Sequence, residues 1–257
     1  MKADKSLGQH FLRDADVLAD IAAIADLDHS AGALEIGPGE GALTAFLVKS
    51  RVPVHAIDQD PRAVEAIQTR FGERVKVTLG DAAKADLRVH LPLEKDGQKP
   101  VIVGNLPYNV GSLIHRRVLG LGHAIARSVL MFQKEVALRL VAKPSTSEYG
   151  IPSIVTQAAA RAYSVREVPP EAFSPRPKVD SAVILVEPLP SPLVPFEDLD
   201  AFGDFLGKAF QQRRKTLSNS LGEQRRLLEV VGVDPRKRAE ELSVETWVAL
   251  WRASLAG

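Results

Sequence analysis

Three observations predict a doubly wound, mostly parallel α/β sheet followed by a small all-α domain. Short β-branched apolar runs alternate with helix-period segments along the first 190 residues, and the first three of those runs end at a glycine turn or an acid. Prolines at 188, 190, 192 and 195 then break the pattern ahead of a stretch that is helical in period. Such alternation marks parallel strands joined by crossover helices, and a proline cluster marks a boundary. The expected domains are residues 1–190 and 195–257.

Taken in order, Val17, Leu18, Ile21 and Ile24 recur near helical spacing after Asp14, with acids at the start, which predicts a first helix. Residues 33–36 predict a strand that runs into Gly37-Pro38-Gly39-Glu40-Gly41 and then a helix over 42–48. A second strand over 52–57 ends at Asp58, and Pro61 opens the next helix at its favoured first position. A third over 74–79 ends at Gly80-Asp81. The run Val101-Ile102-Val103 predicts a fourth strand, covered on both faces and ended by Gly104, and 128–132 a fifth, before a helix from Lys134. Residues 151–168 fit helix and strand equally, with extended chain expected at 165–168, and 181–187 predict a late strand. Past the prolines, Leu199, Phe202, Leu206, Ala209 and Phe210 share one helical face, and further helices are expected near 223–231, 235–241 and 244–254.

Composition narrows the chemistry. At 257 residues, 45% hydrophobic and 25% charged, the chain has room for one sizeable core and a smaller second domain. The absence of cysteine excludes disulfides, thiolate metal sites and a cysteine nucleophile, and suits a reducing compartment. Histidines at 29, 55, 90, 115 and 123 lack ligand spacing, so no metal is expected. The opening M-K-A-D-K-S-L-G-Q-H-F-L has no signal-like apolar core, and no run reaches the roughly 18 apolar residues of a membrane span. A cytoplasmic protein without membrane association is expected.

The glycine turn 37–41 lets backbone approach a ligand at a helix amino end. It also fits a dinucleotide fingerprint, with Asp58 21 positions after Gly37, so a nicotinamide enzyme is one reading. Glu35, Asp58 and Asp81 at three successive strand ends favour S-adenosylmethionine instead, because Asp58 offers acceptors to a ribose diol and Asp81 to an adenine amino group. At the fourth strand end, Asn105 sets an amide where open sheets bind ligands, and Pro107 directs Tyr108.

The stretches L-G-Q-H-F-L at 7–12, L-E-I-G-P-G at 34–39, N-L-P-Y at 105–108, Q-K-E-V at 133–136, K-V-D-S-A-V at 178–183 and F-Q-Q-R-R-K-T-L-S-N-S-L at 210–221 resemble one family. It is the KsgA family of small-subunit ribosomal RNA adenine dimethyltransferases, and the match runs from Leu7 to the final helices. His10 stands where the family often has Asn, and Asp58 where it usually has Glu. The resemblance implies a sheet of the S-adenosylmethionine-dependent methyltransferase type. It also implies cofactor contacts at His10, Leu12, Gly37, Gly39, Asp58, Asp81 and Asn105.

For catalysis it implies that Asn105 and the Leu106 carbonyl accept from the target amino group, that Pro107 holds Tyr108 as a stacking face, and that Phe173 offers a second aromatic surface. The substrate implied is the small ribosomal subunit, with two adjacent adenosines near the 3′ end of its 16S RNA each dimethylated at N6. Residues 205–240 carry nine basic and four acidic side chains, a net +5 in a chain of net +1. Beside a base-modifying site this reads as a phosphate footprint, with Arg213, Arg214 and Lys215 the expected RNA contacts of a monomer. An assembly factor whose binding outweighs its catalysis, and a large-subunit methyltransferase of the antibiotic-resistance type, are the rival readings.

Overall fold

The computed structural model describes residues 8–211 and 215–256. Its elements in the first part of the chain are β1 (Phe11–Leu12), α1 (Ala15–Ala25), β2 (Ala33–Ile36), α2 (Thr44–Leu47), β3 (Val54–Asp58), α3 (Pro61–Phe71), β4 (Val75–Leu79), β5 (Val101–Asn105), α4 (Gly111–Leu119), β6 (Arg127–Gln133) and α5 (Lys134–Val141). Then follow α6 (Ile151–Ala159), β7 (Ala160–Val168), β8 (Phe173–Ser174) and β9 (Ser181–Pro188). The last are α7 (Leu199–Phe210), α8 (Leu217–Ser220), α9 (Arg226–Val231) and α10 (Val244–Leu255).

Seven strands form one sheet in the order β4-β3-β2-β5-β6-β9-β7, parallel from β4 to β6 and turning antiparallel between β6 and β9. Because β2 pairs with β3 on one side and β5 on the other, the winding direction reverses there, and a crevice opens beyond the carboxyl ends of those strands. The strands are held by a core in which Val17, Leu18 and Ile21 of α1 meet Ala33, Val101, Val103 and Val129. Each valine, leucine or isoleucine among these, fully buried, contributes about 1.5–3 kcal/mol. Asp14 caps α1 by accepting from the Asp16 and Val17 amides, and Asp60 caps α3 ahead of Pro61.

Four sequence expectations change. Gly104 does not end the fourth strand; β5 runs through it to Asn105, and a Cβ there would lie 2.7 Å from the Ile36 carbonyl oxygen, so glycine lets β5 approach β2. The helix expected over 42–48 shrinks to the four residues of α2. The ambiguous 151–168 stretch is both things in turn, α6 and then β7. Residues 235–241 hold only a short 3-10 turn at Ala239–Glu241, where Ala239 gives its carbonyl to the Trp247 indole N–H at 3.3 Å.

The chain divides into two compact units, one comprising the residues up to Ala137 with Tyr163–Pro188, the other Leu138–Ala162 with the residues from Leu189 onward. The break at 188 lies where the prolines begin, but 138–162, expected within the 1–190 domain, belongs to the second unit. Hydrogen bonds show why: the Tyr149 hydroxyl donates to Leu242 O at 2.9 Å, and Leu193 N donates to Ala158 O at 2.7 Å. The centre of that unit is aromatic, with fully buried Trp247 against Phe205 and Phe210, and Phe202 edge-on to Trp251. No helix among the described residues is long and apolar enough to cross a membrane.

Candidate active site

A cleft of about 490 Å³ opens at the carboxyl ends of the central strands, lined by Gly8, His10, Gly37, Gly39, Asp58, Asn105 and Tyr108 among others. The turn after β2 forms one wall. Gly37 and Gly39 both have positive φ, and a Cβ on Gly39 would stand 3.0 Å from the Phe11 ring. The turn's amides are committed inside the protein: Gly37 N–H to Ile57 O at 2.9 Å, Gly39 N–H to Asp58 Oδ2 at 3.1 Å, Gly41 N–H to Pro38 O at 2.8 Å. The three glycine amides of the turn are therefore not directed at an anion. A pyrophosphate would find those three N–H groups occupied, which counts against the nicotinamide reading.

Asp58, 8% exposed at the end of β3, ties this wall together, since its other oxygen accepts from Asp60 N at 2.9 Å. Burial pushes its carboxyl up while the amides of Asp60 and Gly39 oppose the rise. It retains acceptor capacity toward the cleft, as a ribose diol requires. Glu35 lies deeper, 2% exposed, in a recess that it shares with Leu12, Gly37 and Asn105. Thr44 Oγ1 donates to it at 2.6 Å, yet burial still raises its carboxyl to about 7.

Asn105, at the last position of β5, forms the opposite wall. Its Nδ2 donates to the His10 carbonyl at 2.8 Å. A carbonyl only accepts, so this bond fixes which end of the amide is nitrogen and leaves Oδ1 as the acceptor. Leu106 and Pro107 continue the lining, and the Tyr108 hydroxyl meets Ser181 Oγ at 2.7 Å. The His10 ring stacks on Tyr108 with centroids 5.2 Å apart and planes 25° off parallel, and His10 Nδ1 donates to Pro175 O at 2.8 Å.

Residues 8–13 thus form a strap over the strand ends. Gln9 Nε2 donates to Asp60 Oδ2 at 3.0 Å, Phe11 lies on Gly39, and Arg13 pairs with Glu40. The Arg62 guanidinium beside Asp60 holds that carboxyl down at about 2, so the strap is anchored on a carboxylate.

Other expected residues stand further off. Leu12 is buried and pairs with Phe173 across β1 and β8; Phe173 itself, 5% exposed, is part of the core and outside the cleft lining. Asp81 also lies outside that lining, with Oδ1 on Ala83 N at 2.9 Å and Oδ2 on Lys84 Nζ at 3.2 Å. It is tied to Asp58 through its neighbour, since Gly80 N donates to Asp58 O at 2.8 Å. Arg213 and Arg214 lie outside the described residues, and Lys215 is exposed. Sequence reasoning assigned no role to Gln9, Phe11, Asp60 or Ser181. Three of these lie inside quoted motifs, and their partners are too far along the chain for any local spacing to reveal them.

A family model for ribosomal RNA adenine dimethylase matches residues 1–253. A ribosomal RNA small subunit methyltransferase A from Syntrophotalea carbinolica is 42% identical over 94% of this chain and 92% of its own. One of the same description from Geobacter metallireducens is 40% identical over 100% and 97%. Among solved structures, a dimethyladenosine transferase from Plasmodium falciparum superposes with a TM-score of 0.80 at 26% identity, covering 96% of this chain and 98% of that one. A 23S rRNA methyltransferase, ErmE, gives 0.69 at 25% identity, covering 94% and 98%.

Proposed function

The chain belongs to the ribosomal RNA adenine dimethylase family, and from that premise we infer that it transfers methyl groups from S-adenosylmethionine to adenine N6 in small-subunit ribosomal RNA, dimethylating its targets. The observation that carries the chemistry is the Asn105 amide, whose nitrogen is committed to His10 O while its oxygen is left to accept.

An exocyclic adenine nitrogen is a poor nucleophile because its lone pair is delocalised into the ring. Asn105 Oδ1 and the Leu106 carbonyl, accepting from its N–H groups, hold that pair toward the donor. Tyr108 supplies the face on which the base stacks. When bound, S-adenosylmethionine supplies a methyl group on a sulfonium that is its own leaving group, so no general base is needed before transfer. Asn105 does not ionise at useful pH, which leaves positioning and fixed dipoles as the source of rate, with the N6 proton lost afterwards. The base must come from a single strand or be flipped from its stack, at a cost of a few kcal/mol.

Around the cofactor, Asp58 would take the ribose hydroxyls, Gly37 and Gly39 would border the methionine end, and His10 would cover it from the strap, which buried Leu12 fastens to β8. Asp81, joined to Asp58 through the Gly80 N–H, would take the adenine amino group. Phe173, buried beside Leu12 across β1 and β8, is the residue we assign to a second aromatic face for the base. Two adjacent adenosines near the RNA 3′ end are the targets. The subunit docks through basic side chains that include Arg213, Arg214 and Lys215.

The test is to incubate the protein with labelled S-adenosylmethionine and undermethylated small subunits and to map the modified bases. Label on two neighbouring adenines of the small-subunit RNA is the expected result. Label on a large-subunit adenine, the reaction type named for ErmE, would overturn the substrate assignment.

A further inference from the structure

We propose that Ser181 is the positioning residue for the Tyr108 platform, aiming the ring that receives the target base. This deepens the reading above and rests on it. The residue after Pro107 lies in a loop, and a tyrosine there has no reason of its own to hold one ring direction. In this protein the ring is gripped at its tip, where the phenol oxygen and Ser181 Oγ are 2.7 Å apart. Ser181 is fully buried at 0% exposure and is the first residue of β9.

Its place in the sheet is what makes it a reference point. β9 pairs with β6, setting Ser181 opposite Gln133, and β6 pairs with β5, setting Met131 opposite Asn105. The acceptor for the target amino group and the anchor for the stacking ring are therefore fixed to three contiguous strands of one sheet. A base lying on Tyr108 is placed, through that sheet, at a set height relative to Asn105 Oδ1. The other hold on the ring, the His10 stack, comes from the strap, which lies outside this sheet. Ser181 accordingly fixes the platform even when the strap moves.

A buried serine at the head of a strand could instead be mere packing, and the experiment separates the two roles. Tyr108→Phe keeps the ring and removes only the gripped oxygen, while Ser181→Ala removes the other half of the same bond. Each should lower methyl transfer to undermethylated small subunits by ~10-fold at saturating cofactor, within the loss expected from an ångström of misplacement. The double variant should be no worse than either single one, and calorimetry should find cofactor affinity unaltered in all three. Losses that multiply in the double variant, or a fall in cofactor affinity with Ser181→Ala, would make Ser181 a packing residue.

Should Ser181→Ala fail to fold, Tyr108→Phe decides alone, and full turnover overturns the proposal. Tyr108→Ala tests the platform beneath it, with a loss of ~10² expected because the stacking face itself is gone. Full turnover there would remove the platform and its anchor together, whereas loss in Tyr108→Ala with none in Tyr108→Phe or Ser181→Ala would sink the anchor only.

Discussion

At the end of β2 the amides of Gly37, Gly39 and Gly41 are all spent within the protein, on Ile57, Asp58 and Pro38. At the end of β5, one strand over, Asn105 spends only its amide nitrogen among the described residues, on His10 O, and keeps an oxygen for the cleft. Both ends are glycine-containing, both face the same crevice, and both are touched by the strap. The first is a scaffold that shapes a wall, and the second presents an amide oxygen to the cleft, which is where we place the acceptor for the target base. A glycine-rich turn therefore does not by itself identify where chemistry occurs; a polar atom kept for the cleft, as at Asn105, is the better guide.

The sharpest way to break this contrast is Asn105→Ala. If β5 alone carries the acceptor, turnover at saturating cofactor should fall by about 10² to 10³-fold while cofactor affinity changes little, as when one pre-organised polar partner is removed. Near-normal turnover would mean that the unspent oxygen does nothing.

The second test is on the β2 side and concerns stability. Burial raises Glu35 from its ordinary 4.5 to about 7, so the folded protein binds this proton more tightly than the unfolded chain does. The stabilisation by proton binding is fully present below 4.5 and is lost as pH rises through 7, amounting to at most ~3 kcal/mol. Glu35→Gln can still accept from Thr44 but cannot ionise. Its melting temperature should therefore gain on the unmodified protein between pH 5 and pH 7.5, with the difference level outside that span. A constant difference would show that the carboxyl is already ionised in its recess.

A third, smaller effect is expected at Gly39, where φ is +53° and a Cβ would meet the Phe11 ring at 3.0 Å. Gly39→Ala should destabilise by ~1–2 kcal/mol, because an L side chain is strained in that conformation and the ring must give way. By displacing Phe11 it should also weaken cofactor binding by ~10-fold, with turnover at saturation preserved. Melting curves and calorimetry together decide; loss of turnover with affinity intact would move the β2 end into the chemistry.

Legibility in the sequence followed the range of the signals. Runs such as Val101-Ile102-Val103 and 181–187 announced buried strands because burial on both faces demands continuous apolar residues. Pro61 announced a helix start because the first-turn preference of proline is local. Gly104 was misread as a terminator, since its reason is an approach to Ile36 in another strand. The 42–48 stretch is apolar enough for a helix, but only Thr44–Leu47 adopts one. Within the cleft, His10, Gly37, Gly39, Asn105 and Tyr108 were legible through motifs and Asp58 through its place at a strand end, and these six line one space. The pairs Gln9–Asp60 and Tyr108–Ser181 were not, because hydrogen bonds spanning 51 and 73 residues leave no trace in local spacing.

The smallest expected effect tests the strap, which touches both strand ends. Gln9 reaches past the β2 turn to Asp60, which keeps its Arg62 partner when Gln9 is lost. Gln9→Ala removes the partly buried hydrogen bond to the Asp60 carboxylate, worth ~1 kcal/mol, and leaves that charge paired with Arg62. Because the strap lines the cleft at Gly8, Gln9, His10 and Phe11, that loss should appear in cofactor affinity, as a weakening of ~5-fold. Turnover at saturating cofactor should stand, since His10 O still holds the Asn105 amide. Gln9→Glu sets a like charge against Asp60 and should weaken binding further, more so at low ionic strength. Calorimetric affinities and saturated rates for both variants make the comparison. If the rate falls while affinity holds, the strap serves the β5 end through His10 and Asn105, and scaffold and chemistry are not divided between the two strand ends as drawn here.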